Sequence, residues 1–270
     1  MLSAVQPTPA PRARRRALAA LGVQLSQRGV LAPISLGIGV LTVLVAVAVT
    51  VGGLARDARA PLEQVPALTA GALAWGAGVL LAFAASVHAL KQDRETGITA
   101  LLRARGASIA GYVYSRVGGL TMLLVLVVAG GTLVAGLTAT LVATRTGLAL
   151  RTLQATGASL VYALAFAGTL GPLAMAALGA RSRAGGYGWL LLVLVLPELI
   201  APVTGPMMPT GWRELTSIPG ALHGLRVALM PPGVDVWRAA KALFVLGLVT
   251  VACLLVVRRA ARRASAEEVA

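Results

Sequence analysis

Six long apolar runs, separated by short polar intervals, dominate this sequence. We place them at residues 31–54, 66–90, 117–143, 157–180, 185–203 and 239–257. A helix needs about 20 apolar residues to cross the roughly 30 Å hydrocarbon core of a bilayer, and each run meets or approaches that length. Charged residues make up only 12% of the chain, well below the roughly 25% of soluble domains. The pattern predicts an all-α integral membrane protein with six transmembrane helices.

The basic residues indicate which ends of the six helices face the cytoplasm. Lys and Arg concentrate in four segments, residues 1–30, 91–116, 181–184 and 258–270. These segments hold twice as many as the alternating intervals, and cytoplasmic loops are the ones that carry such an excess. The distribution predicts a multi-pass protein of the plasma (inner) membrane with both termini in the cytoplasm. It also accounts for the net charge of +15 without a nucleic-acid partner, for which aromatic residues, at 4%, are too few.

Polar stretches outside the six runs predict additional short helices around a transmembrane domain at 31–257. Residues 1–30 combine a basic segment with a loose apolar stripe, which predicts a cytoplasmic tail with an interfacial amphipathic helix; a solvated tail is the alternative. Residues 204–238 are predicted to be external. Their apolar part, Ser217–Leu229, is too short to span and predicts a re-entrant or surface helix before span six, or else a plain loop. Residues 258–270 form a basic cytoplasmic tail.

The interval 91–116 is the longest strongly polar stretch between two apolar runs. Within it, Ile98, Leu101 and Leu102 recur at helical spacing and predict a short amphipathic helix with one apolar face. Asp93 stands where the N-cap of such a helix would stand. A short amphipathic helix between two membrane spans does not face lipid. We therefore expect it to be presented to a soluble partner.

The sequence shows no pattern typical of an enzyme active site. The phosphate-binding GxxxxGKS/T loop is absent, and neither Lys91 nor Lys241 follows a glycine-rich loop. His88 and His223 are predicted on opposite sides of the membrane, so they cannot jointly ligate one metal ion. We expect no catalytic residue, no metal site and no cofactor in this chain.

Glu198 is the only acidic residue within the six apolar runs. An ionisable residue at membrane depth marks a candidate functional site, here a residue of the translocation path or gate. Pro197 and Pro202 flank it and predict that this helix unwinds towards the external face. A structural role near the membrane interface is the alternative.

Small residues are dense within the runs, and small residues let membrane helices approach closely. Glycine packing between helices is predicted at Gly118, Gly119, Gly130, Gly131, Gly136, Gly168 and Gly171.

The residues Arg94-Glu95-Thr96-Gly97-Ile98, followed by Leu101-Leu102, resemble a motif of the permease subunits of type-2 ABC transporters. In that family a cytoplasmic segment between spans two and three carries an R-E-x-G-T/I-x-x-L-L-like pattern and a short coupling helix. Leu170–Arg183 is similar to the family's turn between spans four and five, and Ser217–Leu229 to its external segment before the last span. The resemblance covers nearly the whole chain in layout but few residues in motif.

This resemblance implies a membrane-spanning permease subunit of an ATP-driven exporter. Its partners would be two copies of a separate ABC ATPase, a second permease subunit in a homodimer or heterodimer, and membrane lipid. ATP and Mg²⁺ would bind to the ATPase and no cofactor to this chain. An apolar face would enter a groove on the ATPase and charged side chains would form its rim. The residues so assigned are Asp93, Arg94, Glu95, Gly97, Ile98, Leu101, Leu102, Arg103 and Arg105.

Two alternatives stay open at this point. Ala100–Ser108 is also similar to a segment of mechanotransmission-type ABC permeases, which relay ATPase motion to an external partner without moving a substrate across the membrane. The type-2 family often has Pro where Gly106 stands. The mechanotransmission-type permeases, however, usually have four spans and a large external domain after span one. In this chain the interval after span one is residues 55–65 only. The layout therefore favours the type-2 assignment. The second alternative is an assembly or anchoring membrane protein with no ATPase.

Overall fold

The computed structural model describes residues 20–27, 31–55, 62–86, 93, 95–104, 108–144, 147–177, 183–204, 207–209, 212–231 and 233–266. Over these residues the chain is helical and contains no β-strand. The helices are α1 (Leu31–Ala55), α2 (Leu62–Ser86), α3 (Ile98–Ala104), α4 (Ile109–Ala143), α5 (Ala149–Ala176), α6 (Arg183–Thr204), α7 (Ile218–Leu229) and α8 (Val236–Ala266).

Six of these helices, α1, α2, α4, α5, α6 and α8, are long enough and apolar enough to span a membrane. They coincide with the six apolar runs, although several ends differ. α4 begins at Ile109 rather than at Val117, and α8 continues to Ala266, so that the basic residues after 257 lie on its last turns. The described chain thus has the architecture of an all-α, multi-pass membrane protein.

α5 lies at the centre of the bundle. In its most apolar stretch 72% of the residues are buried, against 17% in α1 and α6 and 22% in α8. The buried side chains of α5 include Phe166 and Leu173, which pack with large residues of α2 and α4. α1, α6 and α8 instead expose many large apolar side chains. In a bilayer such faces contact lipid or another subunit.

Close helix packing is confirmed at four of the predicted glycines. A Cβ atom would collide with a neighbouring element at Gly119, Gly131, Gly136 and Gly171. At Gly136, for example, it would lie 2.7 Å from Oγ1 of Thr156 on α5. In the described part of the chain no atom of a neighbouring element lies within 4 Å of the corresponding position at Gly118, Gly130 and Gly168, so at these three glycines close packing stays a prediction.

The segment before α1 packs on protein. Residues 20–26 are helical, Leu25 is buried, and the backbone of Gly22 lies against the backbone of Ser115 and Gly119 on α4. This part of the predicted interfacial helix therefore contacts α4 rather than lying free on the lipid surface. The arginines that lead it, at position 12 and at positions 14–16, lie outside the described residues.

α2 and α4 each contain a π-helical stretch, Leu73–Gly78 and Val125–Gly130, and these two stretches contact each other. A π-helical turn inserts an extra residue and re-aims the side chains around it. In α2 this stretch contains Trp75, whose indole N–H donates a hydrogen bond of 3.0 Å to the hydroxyl of Tyr162 on α5. Its ring also meets Phe166 edge-on, with 5.6 Å between centroids. These contacts join α2 to the central helix.

A helix forms within the interval 204–238, as the apolar stretch before span six predicts. α7 has 12 residues, which at 1.5 Å per residue gives about 18 Å, too short to cross a bilayer. Leu222 and Leu225 on its inner face are fully buried in the core. The segment is therefore a helix packed on the bundle rather than the plain loop of the alternative.

Tryptophan and basic side chains gather where α8 begins. The ammonium of Lys241 lies 5.6 Å from the ring centroid of Trp212 and 5.5 Å from that of Trp237, and Arg238 pairs with Glu214. Tryptophan and snorkelling lysine are typical of a membrane–water boundary. Because α8 ends beside the start of α4, this cluster marks the boundary at the end of the bundle away from α3.

Candidate functional site

α3 is the short helix predicted between the second and third spans, and it forms at Ile98–Ala104. Gly97 directly precedes it with a φ of 72°. This is a left-handed backbone conformation that residues other than glycine adopt only at a cost in free energy. The backbone N–H of Leu101 donates a 3.0 Å hydrogen bond to the Gly97 carbonyl. Gly97 therefore sets the point at which the chain turns into α3.

The apolar side chains of α3 point to two sides. Ile98 and Leu102 are half-buried and pack against the core of the bundle, whereas Leu101 is 64% exposed. Spacing alone groups the three on one face. The structure divides them, because the i, i+4 pair anchors α3 to its own chain and leaves Leu101 facing outward.

Asp93 is buried, with only 3% of its surface exposed. Its carboxylate accepts hydrogen bonds from the hydroxyl of Tyr112 and from the guanidinium of Arg116, both on α4. The prediction that Asp93 caps α3 is therefore wrong. A buried carboxylate is stable only with a charged partner and further hydrogen bonds, and α4 supplies both.

Arg116 extends this network to a third part of the chain. Its Nε–H donates to the Tyr112 hydroxyl oxygen at 2.8 Å, and an Nη1–H donates to the carbonyl of Ala85 near the end of α2 at 3.3 Å. The guanidinium carbon lies 5.8 Å from the centre of the Tyr112 ring. Arg116 is 3% and Tyr112 1% exposed. We refer to Asp93, Tyr112 and Arg116 as the buried triad; it ties the segment before α3 to both α2 and α4.

The sequence places Arg116 at the end of the polar interval 91–116, and the sequence analysis assigns no role to Arg116 or to Tyr112. Two signals were present. Tyr112 and Arg116 are four residues apart, which places them on one face of a helix. Ser108 is also a good N-cap residue, and its side chain accepts a 3.1 Å hydrogen bond from the Gly111 N–H. A helix that begins after Ser108 includes Arg116 in the third span. A charged residue inside a span needs a partner.

The polar rim predicted around α3 is placed only in part. Glu95 is exposed just before Gly97, and Arg103 lies in the last turn of α3. Arg94 and Arg105 lie outside the described residues. The rim therefore stays a prediction.

Glu198 lies on α6, which remains helical through both prolines and ends at Thr204. The predicted unwinding of this helix is therefore wrong. The exposed Glu198 carboxylate accepts a hydrogen bond from the hydroxyl of Ser217. Ser217 also caps α7, because its side-chain oxygen accepts from the Gly220 N–H at 2.9 Å. This geometry favours a structural role, in which Glu198 joins α6 to the start of α7, and its role as a gate stays a prediction.

An apolar groove of about 330 Å³ lies between α1 and α4, beside the π-helical stretch of α4. Val40 and Leu44 line it from α1, and Leu126 and Val134 from α4. No group of three or more His, Cys, Asp or Glu side chains in the described ranges is placed to hold a metal ion. The groove thus offers apolar contact rather than chemistry.

No model of a known protein family matches this chain, and no curated protein matches it either. A functional assignment therefore depends on the motif resemblance, the six-helix layout and the geometry of α3 with the buried triad.

Proposed function

We propose that this chain is the membrane-spanning permease subunit of an ATP-driven exporter of the type-2 ABC class. The observation that carries the proposal is the mechanical arrangement of the segment between α2 and α4. A short helix offers an exposed leucine outward and is held, through a buried ion pair, to two membrane helices.

α3 has the properties of a contact helix for a soluble partner. The exposed Leu101 is an apolar anchor of the kind that fills a pocket at the centre of an interface. Ile98 and Leu102 hold the other side of the helix on the bundle. A force applied at Leu101 is therefore passed to the core instead of only bending a loose loop.

The buried triad supplies the path from this segment into the membrane. Asp93 precedes α3, Arg116 lies on α4, and Ala85, which accepts from Arg116, lies near the end of α2. A displacement of the segment would therefore move α2 and α4 together. In the proposed mechanism, closure of the ATPase subunits on ATP shifts these helices between inward-open and outward-open arrangements.

The remaining parts of the proposal follow from the resemblance and the charge distribution. Two copies of a separate ABC ATPase bind ATP and Mg²⁺ and dock on α3, and a second permease subunit, identical or related, pairs with this one in the membrane. The excess of Lys and Arg at the α3 end of the bundle favours a cytoplasmic position for that end and for both termini in the plasma membrane.

The layout supports the exporter over the mechanotransmission alternative. Six described helices, rather than four, are long and apolar enough to span. Only residues 56–61 separate the described ends of α1 and α2, which leaves no room for a large external domain between them.

The test has a biochemical and a mutational part. The full chain, purified from its own host with its bound subunits, should carry two copies of a protein with a GxxxxGKS/T loop and ATPase activity. After reconstitution in vesicles, Leu101→Asp should abolish ATP-driven transport and loosen ATPase binding, while membrane insertion should be unchanged because Leu101 is 64% exposed. Gly97→Pro should also uncouple, because proline cannot adopt a φ of 72°.

Val234→Asp is the matched control. Val234 is also an exposed apolar residue, 61% accessible, but lies just before α8 at the other end of the bundle. Transport should be normal in this variant. A complex without an ATPase, or unchanged transport with Leu101→Asp, would refute the proposal.

A further inference from the structure

A basic pocket lies between the start of α4 and the last turns of α8. It has a volume of about 420 Å³ and is lined by Ala110, Tyr114, Arg258, Ala261 and Arg262. The two alanines leave the space, and the two arginines and the tyrosine bring polar groups to its edge. None of these residues belongs to α3 or to the buried triad.

The charge of this pocket is not neutralised within the described chain. Neither Arg258 nor Arg262 has a carboxylate within ion-pair distance among the described residues. The start of α4 adds to the positive potential, because the N-terminal end of a helix carries a partial positive charge. The chemistry that fits is a phosphate group, which two guanidinium groups and a hydroxyl can bind together.

The depth of the pocket indicates the source of that phosphate. The apolar stretch of α4 begins at Ile109 and that of α8 ends at Arg262, so the pocket lies at the end of both spans, where lipid headgroups lie in a bilayer. Directly along α8, Leu255 and Val251 are exposed. They precede Arg258 by three and seven residues and so lie on the same helix face. A charged headgroup site therefore continues into an apolar surface suited to acyl chains.

We propose that this pocket binds an anionic phospholipid, with its phosphate between Arg258 and Arg262 and its acyl chains along Leu255 and Val251. Arginines at the end of a membrane helix often only snorkel to water. Here two of them, one turn apart, line one cavity with a tyrosine of another helix. The site would join α4, which carries Arg116, to α8 through lipid. It does not depend on the proposed ATPase partner.

The test measures lipid binding to the full chain, with any subunits that purify with it, by native mass spectrometry in neutral detergent. Phosphatidylglycerol is compared with phosphatidylcholine, and inorganic phosphate is added in a third arm. The wild-type protein should prefer phosphatidylglycerol, and millimolar phosphate should not displace it. The double variant R258A/R262A should bind about 25-fold more weakly, at roughly fivefold for each basic residue.

Arg259→Ala is the matched control, because Arg259 is an exposed neighbour that does not line the pocket. Its affinity for phosphatidylglycerol should be that of the wild type. Ala110→Leu keeps every charge and fills the space, and should also lose binding, which covers the case in which the double variant does not fold.

Equal binding of both lipids by the wild-type protein would overturn the proposal without any variant. So would an equal loss of binding in Arg259→Ala and in Arg258→Ala, which would indicate charge attraction without a site. Displacement of the lipid by inorganic phosphate would show that the pocket takes the anion and not the phospholipid.

Discussion

Removal of the Asp93 carboxylate is the sharpest test of the buried triad. Arg116 is only 3% exposed, and in Asp93→Ala its guanidinium would lose its ionic partner. The loss of one member of a buried ion pair costs about 3–5 kcal/mol, because the remaining charge stays buried and uncompensated. The Tyr112 hydroxyl loses its acceptor as well. We expect the free energy of unfolding to fall by about 3–5 kcal/mol.

Glu214→Ala is the matched control for this substitution. It also breaks an ion pair between a carboxylate and an arginine, but here the side chains of Arg238 and Glu214 are 34% and 48% exposed. Water replaces the lost partner in that pair, so the expected loss is about 0–1 kcal/mol.

A double variant distinguishes the cost of leaving Arg116 charged and unpaired from the cost of losing the Asp93–Arg116 contact itself. Asp93→Ala combined with Arg116→Met removes both charges of the buried triad. Replacement of a whole buried ion pair by apolar side chains is often neutral. The double variant should therefore be more stable than Asp93→Ala alone, with a coupling energy of about 1–3 kcal/mol between the two positions.

The measurement is the reversible unfolding of the purified chain in mixed detergent micelles, followed by circular dichroism as the fraction of denaturing detergent rises. The reasoning is refuted if Asp93→Ala loses no more stability than Glu214→Ala. It is equally refuted if the double variant is as unstable as the sum of its two single variants.

Two further predictions use the same unfolding assay. Gly136→Ala should destabilise by about 1–3 kcal/mol, because its Cβ would press on Thr156, whereas Gly168→Ala, which meets open space, should stabilise by about 0.4–1 kcal/mol; the same sign for both would contradict the packing argument. Ser217→Ala should lower the free energy of unfolding by about 1–2 kcal/mol, because the variant loses the cap of α7. The loss should exceed that of Ser108→Ala, since Ser217 also bonds to Glu198 on α6. Equal losses would show that the bond to α6 does not contribute to stability.

The sequence by itself determined the class of fold and the places of its helices. Length and hydropathy are enough to identify six spans. Inside a bilayer the backbone has no water to bond to, so a long apolar run must form a helix that satisfies its own hydrogen bonds. Local spacing also located α3 and α7, since the periodicity of a helix depends on neighbours three and four residues away.

Only the tertiary structure decided which side chains those helices bury and pair. Asp93 reads locally as a cap, and its partner Arg116 reads as a solvated charge, until α4 brings the two together. Ile98 and Leu101 are equivalent in periodicity, yet one packs inward and the other is exposed. Arg258 and Tyr114, which lie far apart in the chain, likewise line one pocket. Such contacts depend on which helices lie next to each other in space, and the spacing of residues along one helix does not determine this.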